Sequence, residues 1–293
     1  MGKRLSVSKT YKLFIGGKFP RSESGRTIAV GDDGSGVVAH VARASRKDLR
    51  DAVVAARKAQ EGWAGATAYN RGQVLYRIAE MLEGRKAEFA AALAVGASRD
   101  RGADAAEAEV AAAVDRLVCF GGWADKYAQV LGCNNPVAGP YYNFTTPEPT
   151  GVIAVIAPDE PGLLGLISLL APPLCAGNAI VAVGGESPGA MLAAAVLGEV
   201  LATSDVPAGV VNVLTGLREE LVPVIAGHRD IDAVCAAGVS AEQAKVLREG
   251  AAENVKRVTV REVADWYDDG ECGSPWVIEP FVEFKTVWHP SGT

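Results

Sequence analysis

The chain has 293 residues, 49% of them hydrophobic and 22% charged, a balance that supplies a sizeable core and excludes a mainly disordered chain. The formal net charge is −6 and the pI is near 5.3. With Lys and Arg interspersed among Asp and Glu, these values exclude the basic stripe of a nucleic-acid protein.

In chain order, Met1 to Ser8 is basic, but no apolar run follows as in a signal peptide. Tyr11 to Ile15 alternates and meets Gly16-Gly17, which predicts a strand and a turn. Ser45-Arg-Lys-Asp48 is a capping-box variant with Asp in the Glu place. Behind it Leu49, Ala52, Val53, Ala56 and Trp63 keep helical spacing. A second helix is expected from Asn70, with Leu75, Ile78, Ala79 and Leu82 on one face. A third, rich in alanine, is expected from near Ala103 to Leu131. Residues 134–149 carry Pro136, Pro140, Pro147 and Pro149 between aromatics, which forbids a helix and allows an edge strand or arm.

From Gly151 the pattern alternates. Apolar strands are predicted at 152–156, 179–183, 210–214, 231–235 and 257–260, with helices at 163–174, 190–202, 219–226 and 240–252. Continuous apolar strands separated by helices imply a doubly wound parallel α/β sheet covered on both faces. After Val263 a polar loop leads to an alternating strand ending at Trp288, which needs a partner strand. The Pro/Tyr stretch is the candidate, giving a protruding β arm. The expected division is 1–132, 133–149, 150–263 and 264–293. No stretch reaches transmembrane length. Cys119, Cys133, Cys175, Cys235 and Cys272 lack any CxxC or His/Cys ligand spacing, so no disulfide framework or metal site is expected, and the compartment is expected to be a reducing cytoplasm.

Several segments resemble the aldehyde dehydrogenase family. Pro149-Thr-Gly-Val-Ile153 resembles the family's Pro-x-Gly-Val start of its first cofactor-domain strand. Leu170 to Asn178 resembles its Pro-Ala-Leu-Ala-Ala-Gly-Asn helix end. Val206-Pro-Ala-Gly-Val-Val-Asn-Val-Leu-Thr-Gly216 resembles its Leu-Pro-x-Gly-Val-x-Asn segment almost position by position. Tyr11 to Gly17 resembles its N-terminal Ile-Gly-Gly strand, and Phe284 to Trp288 its C-terminal oligomerisation strand. The resemblance implies a Rossmann-like sheet with N-terminal helices and a β oligomerisation arm. It places Tyr141, Tyr142, Phe144, Phe281, Phe284, Val287 and Trp288 in that arm.

The departures from the family pattern bear on function. The family's nucleophilic cysteine lies in a separate domain after a Glu-Leu-Gly-Gly segment. Here Thr259-Val-Arg-Glu262 reaches only the Glu, so the chain reads as a truncated, degenerate member without that domain. Cys272 sits in a Gly/Asp loop outside that context and is expected to be inert. The Pro-Trp-Asn-x-Pro loop, whose Asn stabilises an oxyanion, reads Pro158-Asp-Glu-Pro161. Asp159 and Glu160 are expected to be solvated or to cap the following helix. The Lys-Pro-Ser-Glu strand end that holds the adenosine ribose reads Val183-Gly-Gly-Glu186, and the Phe-Thr-Gly-Ser turn reads Ala236-Ala-Gly-Val239. Of the cofactor contacts, Glu186, Gly216 and Gly238 remain, and Gln243 stands where a glycine would open a helix N-terminus.

No catalytic residue and no metal ligand is therefore assigned, and NAD(P) is expected to bind weakly if at all. His40, His228 and His289 are read as surface-loop residues. The tryptophans are read as core or interface anchors. Three functions compete: a non-catalytic subunit forming a homo-oligomer or joining a full-length aldehyde dehydrogenase; an oxidoreductase active only with a partner chain; and a nucleotide-binding module. The first is favoured because arm and packing motifs persist where chemical motifs do not. No membrane and no nucleic-acid partner is expected.

Overall fold

The computed structural model describes residues 7–32, 36–97 and 103–291; most of the basic Met1 to Ser8 stretch lies outside them. The strands β1 (Lys9–Tyr11), β2 (Thr27–Asp32) and β3 (Gly36–Ala42) form a small sheet ordered β1-β3-β2. Helices α1 (Arg46–Ala64), α2 (Ala68–Glu83), α3 (Lys86–Leu93), α4 (Ala103–Trp123) and α5 (Tyr127–Leu131) follow. After β4 (Cys133–Asn135) and β5 (Tyr141–Pro149) comes the alternating region. It comprises β6 (Val152–Ile156), α6 (Gly162–Cys175), β7 (Ala179–Val183), α7 (Pro188–Leu201), β8 (Val211–Leu214), α8 (Arg218–Gly227), β9 (Ala233–Ala237), α9 (Ala241–Asn254) and β10 (Arg257–Arg261). A short α10 (Asp269–Cys272) and β11 (Val282–Pro290) complete the chain.

The five strands of the alternating region form one parallel sheet ordered β10-β9-β6-β7-β8. Every residue of β6, β7, β8 and β9 is buried. Alternation along β6 sends Ile153 and Val155 into a core with α4, α6 and α7, and Val152, Ala154 and Ile156 into a second core with α1 and α8. Helices thus cover both faces, and the doubly wound α/β prediction holds. The chain winds outward from β6 through β7 to β8, then returns to lay β9 on the other side of β6. The carboxyl ends of β6 and β9 are thereby the switch point where such sheets form a crevice.

Local chemistry sets the element ends. At α1, Ser45 accepts from the Lys47 and Asp48 amides, while the Asp48 carboxylate accepts from Ser45 N at 2.8 Å and from the Ser22 hydroxyl at 2.7 Å. The Asp variant of the capping box is therefore built as predicted. Buried Arg71 donates to Cys175 O at 3.0 Å and to Ala64 O and Ala66 O, so one guanidinium serves the carbonyls that end both α1 and α6. Trp63 packs fully buried and donates to Leu174 O at 3.0 Å.

Two predicted elements differ from the structure, and others were not foreseen. The strand expected over Tyr11 to Ile15 splits: β1 ends at Tyr11, and Phe14 and Ile15 instead bridge to Val213 and Lys18 around the Gly16-Gly17 turn. The long alanine-rich helix breaks after Trp123, just behind the Gly121-Gly122 pair, which weakens the helix end. The β2–β3 hairpin and α3 have no counterpart in the sequence reading.

The arm is a three-stranded antiparallel sheet ordered β11-β5-β4, paired from Val282 opposite Pro149 to Pro290 opposite Tyr141. Its prolines sit where no amide is needed. Odd-numbered residues of β5 direct their backbone toward β4, which pairs only with Asn143 to Thr145. Pro147 and Pro149 lie beyond that reach. Phe281, expected in the arm, is instead 2% exposed in the main core. Its carbonyl accepts from Thr150 N and from the Asn178 amide, which draws the residue inward at the base of the arm.

Replacing Arg71 with Met should unfold the chain at lower denaturant without changing the fold. Charged hydrogen bonds to buried carbonyls contribute roughly 1.5–3 kcal/mol each, so a loss of at least about 2 kcal/mol is expected in urea melts followed by circular dichroism. An unchanged midpoint removes the dual-capping role.

Candidate functional site

The crevice lies at the carboxyl ends of β6, β7, β8 and β9, where the helices that follow these strands present their N-termini. Each such N-terminus carries four amides without helical partners and a partial positive charge, which is what binds the phosphates of a nucleotide. Here each has an acceptor from the chain itself. The cap positions of α6 and α8, Pro161 and Leu217, make no side-chain cap bond. At α6 the fully buried Glu109 of α4 accepts from Leu163 N at 2.7 Å and Leu164 N at 3.2 Å. At α8 the Glu186 carboxylate accepts from Arg218 N. Helix α7 is capped by Ser187, and α9 by a full box between Ser240 and Gln243.

Across the crevice runs an ion pair. Arg218 is 4% exposed. Its guanidinium donates to Ala157 O at 2.7 Å, to the Asp159 carboxylate at 2.7 and 3.3 Å, and to Gly238 O at 3.2 Å. Asp159 also accepts from Glu186 N at 2.6 Å, and its carbonyl accepts from Ser187 Oγ at 3.0 Å. One arginine thus ties the ends of β6 and β9 to the start of α8, and one aspartate ties them to the start of α7. The glycines permit this closure. A Cβ on Gly185 would stand 2.3 Å from Pro158 O, and one on Gly238, at φ +64°, would stand 3.0 Å from Pro158. The Pro158 loop therefore lies directly on both turns.

The sequence-predicted cofactor residues are brought together only in part. Glu186 is turned to α8 and Gly238 packs under Pro158, while Gly216 lies against Ala44 and Leu221, away from the crevice. Asp159 neither caps α6 nor stands free in solvent; it is the anionic half of the closure, which corrects the expectation. The sequence reading missed Arg218, Glu109 and Arg116. Arg218 had a signal: a cation in the first turn of a helix opposes the dipole unless an acid meets it.

Beside the closure an open cavity of about 510 Å³ is lined by Pro158, Glu160, Gly238, Arg248, Arg261 and Trp266, among others. A larger groove, about 820 Å³, runs between the start of α1 and the end of α8, lined by Ser45 to Lys47 of the α1 cap and by His228 among others, and by none of Asp159, Glu186, Gly216 or Gly238. Cys272 is not in a loop: it ends α10 and is fully buried, with its Sγ 3.7 Å from Arg261 Nη2 and 4.0 Å from Asp265 O. Neither neighbour can take a thiol proton. Burial pushes the Cys175 and Cys235 thiols up to about 12, so both are protonated and unreactive at neutral pH. His228 follows α8 and is half-buried, and burial holds its pKa below the usual range. Among the described residues no group of three His, Cys, Asp or Glu could hold a metal ion.

The comparisons with known proteins agree with this frame. The profile of the aldehyde dehydrogenase family matches residues 20–262, and the chain belongs to that family. An aldehyde dehydrogenase of Aspergillus niger is 32% identical over 251 residues, covering 85% of this chain and 49% of the relative. Human retinal dehydrogenase 2 is 33% identical over 257 residues, covering 86% and 48%. The NAD+ complex of the Bacillus cereus aldehyde dehydrogenase superposes with a TM-score of 0.76 at 28% identity, covering 86% and 50%. The chain spans about half the length of the relatives it matches.

At this crevice the helix N-termini are capped by the chain's own side chains, the carboxylates of Asp159 and Glu186 lie beside them, and Arg218 is paired with Asp159. Changing Asp159 to Ala should speed amide hydrogen exchange at Glu186 and Arg218 at least tenfold, an order-of-magnitude expectation for opening a local closed unit. Equal exchange in parent and variant removes the closure as a stable feature.

Proposed function

We propose that this chain is a non-catalytic aldehyde dehydrogenase family protein, a pseudoenzyme that acts by assembly with itself or with a full-length aldehyde dehydrogenase. The observation that carries the reading is the occupied crevice: the groups that would receive NAD(P) are committed to Asp159, Glu186, Glu109 and Arg218. The chemistry points the same way. The buried Cys272 lacks a base, and the Pro158 loop presents acids where an oxyanion needs donors. The part that remains dressed for contact is the arm, where Tyr141, Tyr142, Phe284 and Trp288 are all exposed. Large aromatics in one exposed sheet fit an interface better than a solvated surface. No helix among the described residues is long and apolar enough to cross a membrane.

A second reading, a nucleotide-binding module or an oxidoreductase completed by a partner chain, draws on the NAD+ complex of the Bacillus cereus relative and on the open cavity beside Arg261. One titration separates the two. With NAD+ or NADP+ at millimolar concentration, calorimetry should show no saturable heat, and no NADH or NADPH should form over a panel of short and aromatic aldehydes. A dissociation constant near 1 μM, about 8 kcal/mol of binding free energy, supports the second reading, and aldehyde turnover abolished by Cys272→Ala ends the first. Native mass spectrometry should show an oligomer of the chain alone or a mixed complex with a full-length relative, lost when residues 279–293 are deleted.

A further inference from the structure

The groove between α1 and α8, about 820 Å³, has the size of a small-molecule site, and its charge runs against that of the chain. The protein as a whole carries −6. The groove is lined by Arg46, Lys47, Arg50 and Arg229 against the carboxylates of Glu23 and Asp230. Three of these cations lie within little more than one turn of α1, and the i, i+4 spacing of Arg46 and Arg50 puts both on one face. Arg229 comes from the loop that follows α8.

Local chemistry keeps that charge available. Arg46 and Lys47 stand in the first turn of α1, where the helix dipole disfavours cations. A local rule broken in this way is expected at functional positions. Among the described residues Arg46 and Arg229 make no hydrogen bond or ion pair. Lys47 and Arg50 are held only by exposed pairs with Glu23 at 3.6 Å and Asp51 at 3.2 Å, which are weak enough for a multiply charged anion to displace. The negative pole of α8, which would oppose an anion, is covered. Lys256, 7% exposed, donates to Ile225 O at 2.8 Å and His228 O at 2.7 Å, and Asn254 donates to Ala226 O at 3.2 Å. His228 adds a donor to the lining: its Nδ1 accepts from Asp230 N at 3.2 Å, so the neutral ring carries its proton on Nε2.

We infer that this groove binds a small, multiply charged phosphate compound, such as pyrophosphate or a sugar bisphosphate. Three of its four cations are arginines, whose planar forks match phosphate oxygens in pairs. No Phe, Tyr or Trp lines it, which disfavours a nucleotide that would stack its base. Pro223 and Val224 give the α8 wall a short carbon surface against which the uncharged part of such a ligand can lie. An extended polyanion such as nucleic acid would feel the −6 of the whole chain, whereas a small anion feels mainly the cations within a Debye length of about 8–10 Å. The site is separate from the crevice: none of Asp159, Glu186 or Gly238 lines it. The inference therefore holds or fails independently of NAD(P) binding.

The test is calorimetry of the full chain at low salt with two probes, inorganic pyrophosphate and a hexose bisphosphate. At least one should give saturable heat that weakens as salt is added. Arg46→Gln and Arg229→Gln break no bond among the described residues and should leave the circular dichroism spectrum unchanged. Each should weaken binding about tenfold, and the two together about 100-fold. Asp230→Asn removes an opposing carboxylate and should tighten binding roughly threefold. Lys245→Gln, on α9 beside Glu249 and outside the groove, should change nothing. No saturable heat from either probe overturns the site. Binding untouched by the double variant, or weakened as much by Lys245→Gln, overturns it as well. A single-stranded oligonucleotide that binds more tightly than both probes, and is lost in the same double variant, overturns the assignment of a small ligand.

Discussion

A parallel sheet wrapped by helices aims the N-termini of those helices at one edge, and the positive ends gathered there must meet negative charge. Most of this structure follows from how that demand is satisfied. Nucleotide-binding sheets leave the ends open for phosphate. This chain answers with carboxylates of its own: Glu109 of α4 caps α6, Glu186 caps α8, and Asp159 reaches the Glu186 amide. The Asp159 carboxylate has its counter-cation, Arg218, within the crevice. The loop from Pro158 to Pro161, the glycine turns beneath it and the position of α4 are all held by this arrangement.

The same logic of buried cations seals the stretch between β10 and β11. Residues 262–281 cross a region bordered by α4 and α6, and two arginines staple them down. Arg116, 2% exposed, donates to Trp266 O at 3.0 Å and to Ser168 Oγ at 3.2 Å. Arg261 donates to Glu271 O at 3.2 Å and lies 5.9 Å from the Trp266 ring centroid, a cation–π separation. Phe281 then plugs the core and hands the chain to the arm. Along this connection the carbonyls of Trp266, Glu271 and Gly273 are met by Arg116 and Trp123 of α4 and by Arg261 of β10.

The sheet and its flanking helices were legible because burial on both faces writes unbroken apolar runs such as Val152 to Ile156 into the chain. The capping box at Ser45 and the arm at Tyr141 to Pro149 were legible for equally local reasons: a cap spacing and a density of prolines. What escaped was non-local. Arg218 and Asp159 are 59 residues apart, and neither carries a spacing that announces the other. Phe281 looked like part of an alternating strand, and only the Thr150 and Asn178 contacts show that the alternation begins one residue later. The motif losses told which groups were missing from the crevice, but not that other groups had moved in to occupy it.

The interlocking of Asp159, Glu186 and Arg218 has a further consequence. Removing Arg218 alone leaves two acids facing each other in a crowded turn. Removing Asp159 alone leaves a guanidinium that is 4% exposed without its charged partner. A lysine placed at Val183 would leave these helix ends capped as they are. The crevice is thus a small lock of three side chains, and emptying the helix ends of these carboxylates takes changes at Asp159, Glu186 and Glu109 together.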